Sequence, residues 1–192
     1  TYPVLMAVDI LAHHADVVPV GKDQQQHLEM TRTFANRFNH MYQTDYFKEP
    51  QAYSNTGKLI KVPGLTAQGK MSKSSGDTDT LIFDEDEKVT RKKIMRAVTD
   101  NGPSEPGMPK SEGLQNLFDI MELVSDQSTI QYFDNLHQEA TIRYGDLKKQ
   151  LADDVVKFIE PIRAKISHFK QDTHALQKAA RIGAEKANES AS

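Results

Sequence analysis

The order helix, short β-branched strand, glycine, helix constrains this chain more than any other feature of its sequence. From Tyr2 to Ala15 the apolar residues Val4, Leu5, Val8, Leu11, Ala12 and Ala15 recur at helical intervals with Pro3 at the start, which predicts a helix that buries this stripe. Val17-Val18-Pro19-Val20 reads as a strand ending at Gly21, and Lys22-Asp23-Gln24 opens a second helical pattern through Leu28, Thr31, Phe34, Ala35, Phe38 and Met41. A strand that passes through glycine into a helix N-terminus is how parallel α/β folds present backbone N–H groups to a ligand at the carboxyl edge of the sheet. Gly21 to Gln24 is therefore the first candidate binding segment.

Tyr42 to Thr56 carries no period and reads as loop, whereas Leu59-Ile60-Lys61-Val62 reads as a second strand closed by Pro63-Gly64. Residues 66–79 are mostly Gly, Ser, Thr, Lys and Asp with Met71 as the one large apolar side chain, which predicts a mobile loop with nothing to pack into a core. Beyond it only helical spacing recurs. Asp84 and Glu87 have capping-box spacing ahead of Val89, Ile94, Ala97 and Val98, and Asn101 to Gly113 is a Gly/Pro/Ser-rich connector. Leu114, Leu117, Phe118, Met121 and Val124 form the next stripe, and Ser128 with Gln131 is spaced to cap a further helix. From Asp146 to Phe169 the apolar positions hold over about six turns, with Pro161 a candidate kink, and an Ala-rich helix is predicted from about Thr173.

Composition narrows the class. A chain of 192 residues with 38% hydrophobic and 27% charged content suits one large domain or two small ones. No apolar run approaches the roughly 20 residues of a bilayer span, and the reading is of a soluble, cytoplasmic chain without membrane contact. The absence of Cys excludes disulfides and thiolate chemistry, and the seven His show no ligand-like grouping beyond the adjacent His13-His14, so a metal held by side chains is not expected. A net charge of −3 argues against general electrostatic capture of nucleic acid and leaves room for a locally basic site. The chain opens Thr-Tyr-Pro without Met and is helical within three residues, the start expected of a piece of something longer.

The sharpest local signal is Gly69-Lys70-Met71-Ser72-Lys73-Ser74-Ser75-Gly76. Two lysines three apart, separated by small hydroxyl residues and flanked by glycines, can fold backbone amides and two mobile ammonium groups around a polyphosphate. On composition alone the same loop is a solvated basic linker. Asp9 lies one turn beyond Leu5, where a carboxylate on a face that seeks burial needs a donor. A partner in a salt bridge, or solvent at the stripe edge, would serve it equally.

Lys-Met-Ser-Lys-Ser resembles the phosphate-binding loop of class I aminoacyl-tRNA synthetases. Tyr2-Pro3-Val4-Leu5-Met6-Ala7-Val8-Asp9-Ile10, followed by Val18-Pro19-Val20-Gly21-Lys22-Asp23-Gln24, resembles the amino-acid pocket of the tryptophanyl-tRNA synthetase family, and Val98-Thr99-Asp100 and Gly183 to Asn188 match its helical region. The resemblance implies that Asp9 accepts the indole N–H of tryptophan, that Met6 walls the ring, and that Tyr2 and Gln24 hold the α-amino group. It implies ATP contacts at Gly21, Lys22, Asp23, Val62, Lys70, Met71, Ser72, Lys73 and Ser74, with Lys70, Lys73 and Ser72 catalytic and Mg²⁺ carried on the ATP phosphates. Lys22 stands where the family usually has Glu, and Ser75-Gly76-Asp77 follows the loop where many relatives have Asp-Pro or Asp-Asp.

The implied fold is α/β and mostly helical: the second half of a Rossmann-type parallel-sheet catalytic domain over residues 1–65, a mobile loop and linker over 66–80, an all-α anticodon-binding bundle over 81–165, and a C-terminal helix over 166–192 that packs back on the catalytic domain. The implied function is ATP-dependent activation of tryptophan and its transfer to tRNA(Trp), in a homodimer. The family's Gly-rich His-Ile-Gly-His-like signature is absent from these residues, so the expectation is a C-terminal fragment, inactive alone. A tyrosyl-tRNA synthetase-like enzyme and a non-catalytic tRNA-binding module are the alternatives. Arg91-Lys92-Lys93 and Arg96 read either as contacts to tRNA phosphates or as a solvated helix face.

Overall fold

The computed structural model describes residues 2–53, 61–66, 69–72 and 76–191, with the backbone alone at Lys22. It is an α/β chain, mostly helical, that divides into two compact units: Thr1–Leu59 with Thr173–Ser192, and Ile60–Asp172.

In the first unit, α1 (Tyr2–Ala12) leads into β1 (Val17–Pro19), a 3-10 turn (Lys22–Gln24), α2 (Gln25–Tyr42) and β2 (Gln51–Tyr53). β1 and β2 pair in parallel, Val17 opposite Gln51 and Pro19 opposite Tyr53, so α2 is the crossover of a βαβ unit. The second strand lies in the segment that reads as loop. Of the predicted strand Leu59-Ile60-Lys61-Val62, Leu59 and Ile60 lie outside the described residues, and Lys61 and Val62 are not in a strand. β2 has no apolar pattern because hydrogen bonds place it: Arg32 Nε donates to the Pro50 carbonyl at 2.8 Å, Asn36 Nδ2 to Glu49 at 2.6 Å, and Asn39 Nδ2 to the Phe47 carbonyl at 2.7 Å. These three residues step along one face of α2 and spool the returning chain onto it.

The α1 stripe is also inverted relative to its prediction. Ala7 and Ile10 are buried against α2, whose Leu28, Thr31 and Ala35 face them, while Val4, Leu5 and Val8 are 50%, 60% and 55% exposed. A helix apolar around most of its circumference gives no single stripe to choose by periodicity. α7 (Thr173–Ser190) completes the unit; it buries none of its residues and meets α1 where Ser190 Oγ and His13 Nδ1 lie 2.8 Å apart.

The second unit is built on α3 (Glu87–Met95), α4 (Glu112–Val124), α5 (Gln127–Gln138) and α6 (Tyr144–Gln171). α6 packs on α3 and α4, and Leu65, Ile94, Leu114, Leu117, Met121, Leu147 and Leu151 form a contiguous core. Pro161 lies inside α6, which runs unbroken through it. Two predicted caps shift. α3 is capped by Asp86, whose carboxylate accepts the Lys88 amide at 2.8 Å, because Asp84 pairs with Lys170 instead. α5 starts at Gln127 after extended Asp126, so Ser128 lies in its first turn. Among the described residues, no helix is long and apolar enough to cross a membrane.

Candidate functional site

The sequence from Val17 to Gln24 folds into β1 and a tight turn because two β-branched residues are followed by Pro and Gly, and Gln24 N closes the turn on the Gly21 carbonyl at 3.0 Å. The turn brings its residues against the flank of α1. Tyr2, Met6, Asp9, Ile10 and His13, one or two per helical turn, face Val17 to Gly21 and Gln24 across a cavity of about 540 Å³. That is within the range of a small-molecule site. Five of the residues singled out by sequence, Tyr2, Met6, Asp9, Gly21 and Gln24, thus line a single space.

The polar groups of this cavity are arranged rather than scattered. Gln24 Nε2 donates to Asp23 Oδ2 at 2.9 Å, its Oε1 faces His27 Nδ1 at 2.8 Å, and the His27 ring meets Tyr2 edge-on at 5.5 Å. Gln24 is thereby held at both ends of its amide. Asp23 Oδ1 would lie 2.7 Å from a Cβ at position 21, so the carboxylate folds over the bare backbone of Gly21 and would have to shift to admit a side chain there. The carboxylate of Asp9, by contrast, has no hydrogen-bond or ion-pair partner among the described residues and is solvent-exposed, which is the stripe-edge alternative left open by its sequence position. It is a ready acceptor on the cavity wall.

His13 and His27 were missed from sequence. The adjacent pair His13-His14 splits: His13 faces the cavity, and His14, at φ 46°, turns its ring onto Tyr46 and Phe47 at 4.9 and 5.5 Å. Nothing in a lone sequence distinguishes these two fates.

Of the remaining sequence-predicted residues, Val62, Lys70, Met71 and Ser72 lie in the second unit. They come together because Met71 N donates to the Val62 carbonyl at 2.9 Å, Pro63 and Lys70 form an antiparallel bridge, and Gly64 N reaches the Gly69 carbonyl at 3.4 Å. Lys70 is exposed at this ladder. Lys73 and Ser74 lie outside the described residues, as does the side chain of Lys22. Two residues of the 66–79 stretch pack inward, contrary to expectation: Met71 is partly buried against the core, its Sδ accepting from Leu81 N at 3.4 Å, and Asp79 is only 1% exposed. Among the described residues, no three carboxylate or imidazole side chains converge to hold a metal ion.

Comparison with known proteins places this geometry. The model of the family "tRNA synthetases class I (W and Y)" matches residues 1–160. The chain is 49% identical over its whole length to the tryptophan–tRNA ligase of Porphyromonas gingivalis, of which it covers 58%, and 40% identical over 97% of its length to that of Clostridium acetobutylicum, of which it covers 55%. It superposes over 99% of its length, at a TM-score of 0.82 and 33% identity, on 57% of a crystal structure of tryptophanyl-tRNA synthetase from Campylobacter jejuni complexed with ADP and tryptophan. The chain therefore spans somewhat more than half the length of the relatives it matches. With the family model covering the βαβ unit, the lysine loop and most of the helical unit alike, the chain belongs to the class I tRNA synthetases of the W and Y type.

Proposed function

We propose that this chain carries the tryptophan pocket, the phosphate loop and the helical tRNA-recognising part of a tryptophan–tRNA ligase that acts in the cytoplasm as a homodimer. The observation that carries the reading is the cavity on which Tyr2, Met6, Asp9 and Gln24 converge with the Asp9 carboxylate unpartnered on its wall. The relatives' activity and the ligands of the Campylobacter jejuni structure support it.

In this reading Asp9 accepts the indole N–H and Met6 lays its thioether against the ring. An acceptor so placed rejects phenylalanine, which would leave it unpaired in the closed complex. Gln24, held between Asp23 and His27, offers its amide oxygen to the substrate ammonium together with the Tyr2 hydroxyl. Gly21, Lys22 and Asp23 border the nucleotide's ribose and base, and Val62 flanks the adenine.

A tryptophan carboxylate oxygen then attacks the ATP α-phosphorus, the bond to the β-phosphate bridging oxygen breaks, and pyrophosphate leaves. In the second step a hydroxyl of the tRNA terminal ribose attacks the carbonyl carbon and AMP leaves. Lys70 and Lys73, with Ser72 and Ser74, bind the phosphates and stabilise the charge that develops on pyrophosphate. Mg²⁺ supplies further neutralisation as the counter-ion of the phosphates, and no side chain of this chain is assigned to it. Residues 1–192 alone bind tryptophan without completing aminoacylation.

The chain contains no tryptophan, so the fluorescence of added tryptophan reports its own capture without indole background. Asp9→Ala is expected to weaken this binding about 10- to 100-fold, the value of a hydrogen bond to a charged acceptor. Wild-type affinity in that variant would remove the assignment, and tyrosine competing as well as tryptophan would favour the tyrosyl alternative.

A further inference from the structure

We propose that Lys93 is a positioning residue for the phosphate loop: from α3 it holds the loop's outgoing arm, through Asp77 and the Thr80 carbonyl, against a root that Asp79 closes. This rests on the reading of Lys70 to Ser74 as the phosphate-binding loop. Met71 is the loop's one large apolar side chain and packs against the core, so the rest of the loop's position must come from polar contacts at its base.

Such contacts are present at both arms. Asp79 Oδ1 accepts from the amide and the hydroxyl of Thr66, each at 2.7 Å, and its other oxygen would lie 2.4 Å from a Cβ at position 64, which excludes every side chain there. Thr80 Oγ1 donates to the Ser72 carbonyl at 2.7 Å. The incoming and outgoing arms are thus stitched together. Lys93, 8% exposed, connects this root to α3: its Nζ donates to the Thr80 carbonyl at 3.0 Å, to Glu85 at 2.5 Å and to Asp77 at 3.2 Å.

Charge balance separates the structural part of this cluster from the positioning part. Burial alone would lower the Lys93 pKa, and the bonds to Glu85 and Asp77 outweigh it and hold the ammonium charged. Glu85, whose side chain is 12% exposed, already neutralises that ammonium in the interior. Asp77 is 82% exposed and would be well solvated without a partner. Its bond contributes little to stability. What it does is fix residue 77, next to Gly76 at φ 97°, where the chain leaves the lysine loop.

The test is tryptophan-dependent ATP–pyrophosphate exchange in the full-length polypeptide. Lys93→Met is expected to raise the KM for ATP and lower kcat, each about tenfold, with the KM for tryptophan unchanged, as displaced phosphate contacts require. Asp77→Asn should do the same about threefold without lowering Tm, and Asp77→Glu should restore wild-type kinetics. Wild-type ATP KM and kcat in Asp77→Asn and Lys93→Met would overturn the proposal; if Lys93→Met does not fold, the exposed Asp77→Asn decides alone. Lys70→Ala, run in parallel, separates the two levels. Unimpaired exchange there would overturn the loop reading and this proposal together, whereas a large loss there with silent Asp77 and Lys93 variants would overturn this proposal only.

Discussion

The two units bury their apolar residues to different extents, and the one that lines the cavity is the less finished of the two. In the second unit Leu114, Leu117, Leu147 and Leu151 are fully buried in one contiguous core with α6 at its centre. In the first, the buried apolar residues among those described are Ala7, Ile10, Leu28 and Ala35, and α7 buries nothing. A helical bundle with complete stripes stabilises itself. The cavity instead sits among elements with few buried contacts, the kind of structure from which ligand-responsive regions are drawn. The difference teaches that the closest packing and the cavity lie in different parts of the chain.

The strongest way to break this comparison is to remove the same side chain from both units. Leu117→Ala, at a fully buried position, is expected to cost about 3 kcal/mol of unfolding free energy. Leu5→Ala, at a position 60% exposed, is expected to stay within about 0.5 kcal/mol of wild type. Urea unfolding followed by far-UV circular dichroism measures both. Comparable losses would mean that the α1 stripe is covered in solution, and the contrast between the units would fall.

The same contrast governs what the sequence revealed. The second unit's stripes, 114–124 and 147–159, were legible because burial on one helix face is what a 3.6-residue period records. Of the cavity residues, Tyr2 and Met6 were legible only through a family pattern, whereas Gln24 fell in the segment marked by the strand–glycine–helix order and Asp9 was marked as a carboxylate on an apolar stripe. Periodicity alone chose Val4, Leu5 and Val8 as the buried face of α1, and these are exposed. β2 was invisible because Arg32, Asn36 and Asn39 place its approach by hydrogen bonds, which leave no hydropathy signature.

Arg91-Lys92-Lys93 shows the limit most sharply, since three adjacent cations have three fates. Arg91 pairs with Glu87 and Asp153, Lys92 stays exposed, and Lys93 is buried among Asp77, Glu85 and the Thr80 carbonyl. A charge run cannot announce which member will be buried, because the partners of Lys93, namely Glu85, the Thr80 carbonyl and Asp77, lie 8, 13 and 16 residues away.

An intermediate effect sharpens the comparison at the surface of the well-packed unit. After α3, the Asp100 carboxylate accepts from the Tyr144 hydroxyl and the Gly102 amide, both at 2.7 Å. Burial would raise the Asp100 pKa, and the bonds from Ser111, Tyr144 and Gly102 outweigh it and hold it below the ordinary carboxylate value; burial and the same carboxylate push Tyr144 up. The depressed Asp100 contributes stability that is present above its unfolded value of 3.8 and is lost as pH falls through its lower folded value. The raised Tyr144 contributes stability that is present below 10.0 and lost as pH rises through its higher folded value. Tyr144→Phe is expected to cost about 1 kcal/mol between those limits, with Asp100's exposure keeping the effect at the low end. Urea midpoints at pH 3 and pH 7 check it: the difference between wild type and variant should shrink at pH 3, and a constant difference would show that packing of the ring, not the carboxylate, sets the cost.

The smallest effect tests the exposed end of the comparison. In α7 the Arg181 Nε and Glu185 Oε1 lie 3.9 Å apart with both side chains roughly two-thirds or more exposed. An i,i+4 pair in this setting contributes about 0.3 kcal/mol, and less in salt. Arg181→Ala removes that attraction but installs the residue of highest helix propensity, which returns about 0.2 kcal/mol. The two terms nearly cancel, so helix content and unfolding midpoint should both be unchanged at physiological salt, with a small loss emerging as ionic strength falls. A loss of more than about 1 kcal/mol would require packed partners around Arg181 that a helix burying none of its residues does not offer, and α7 would then have to be counted with the buried helices of the second unit rather than against them.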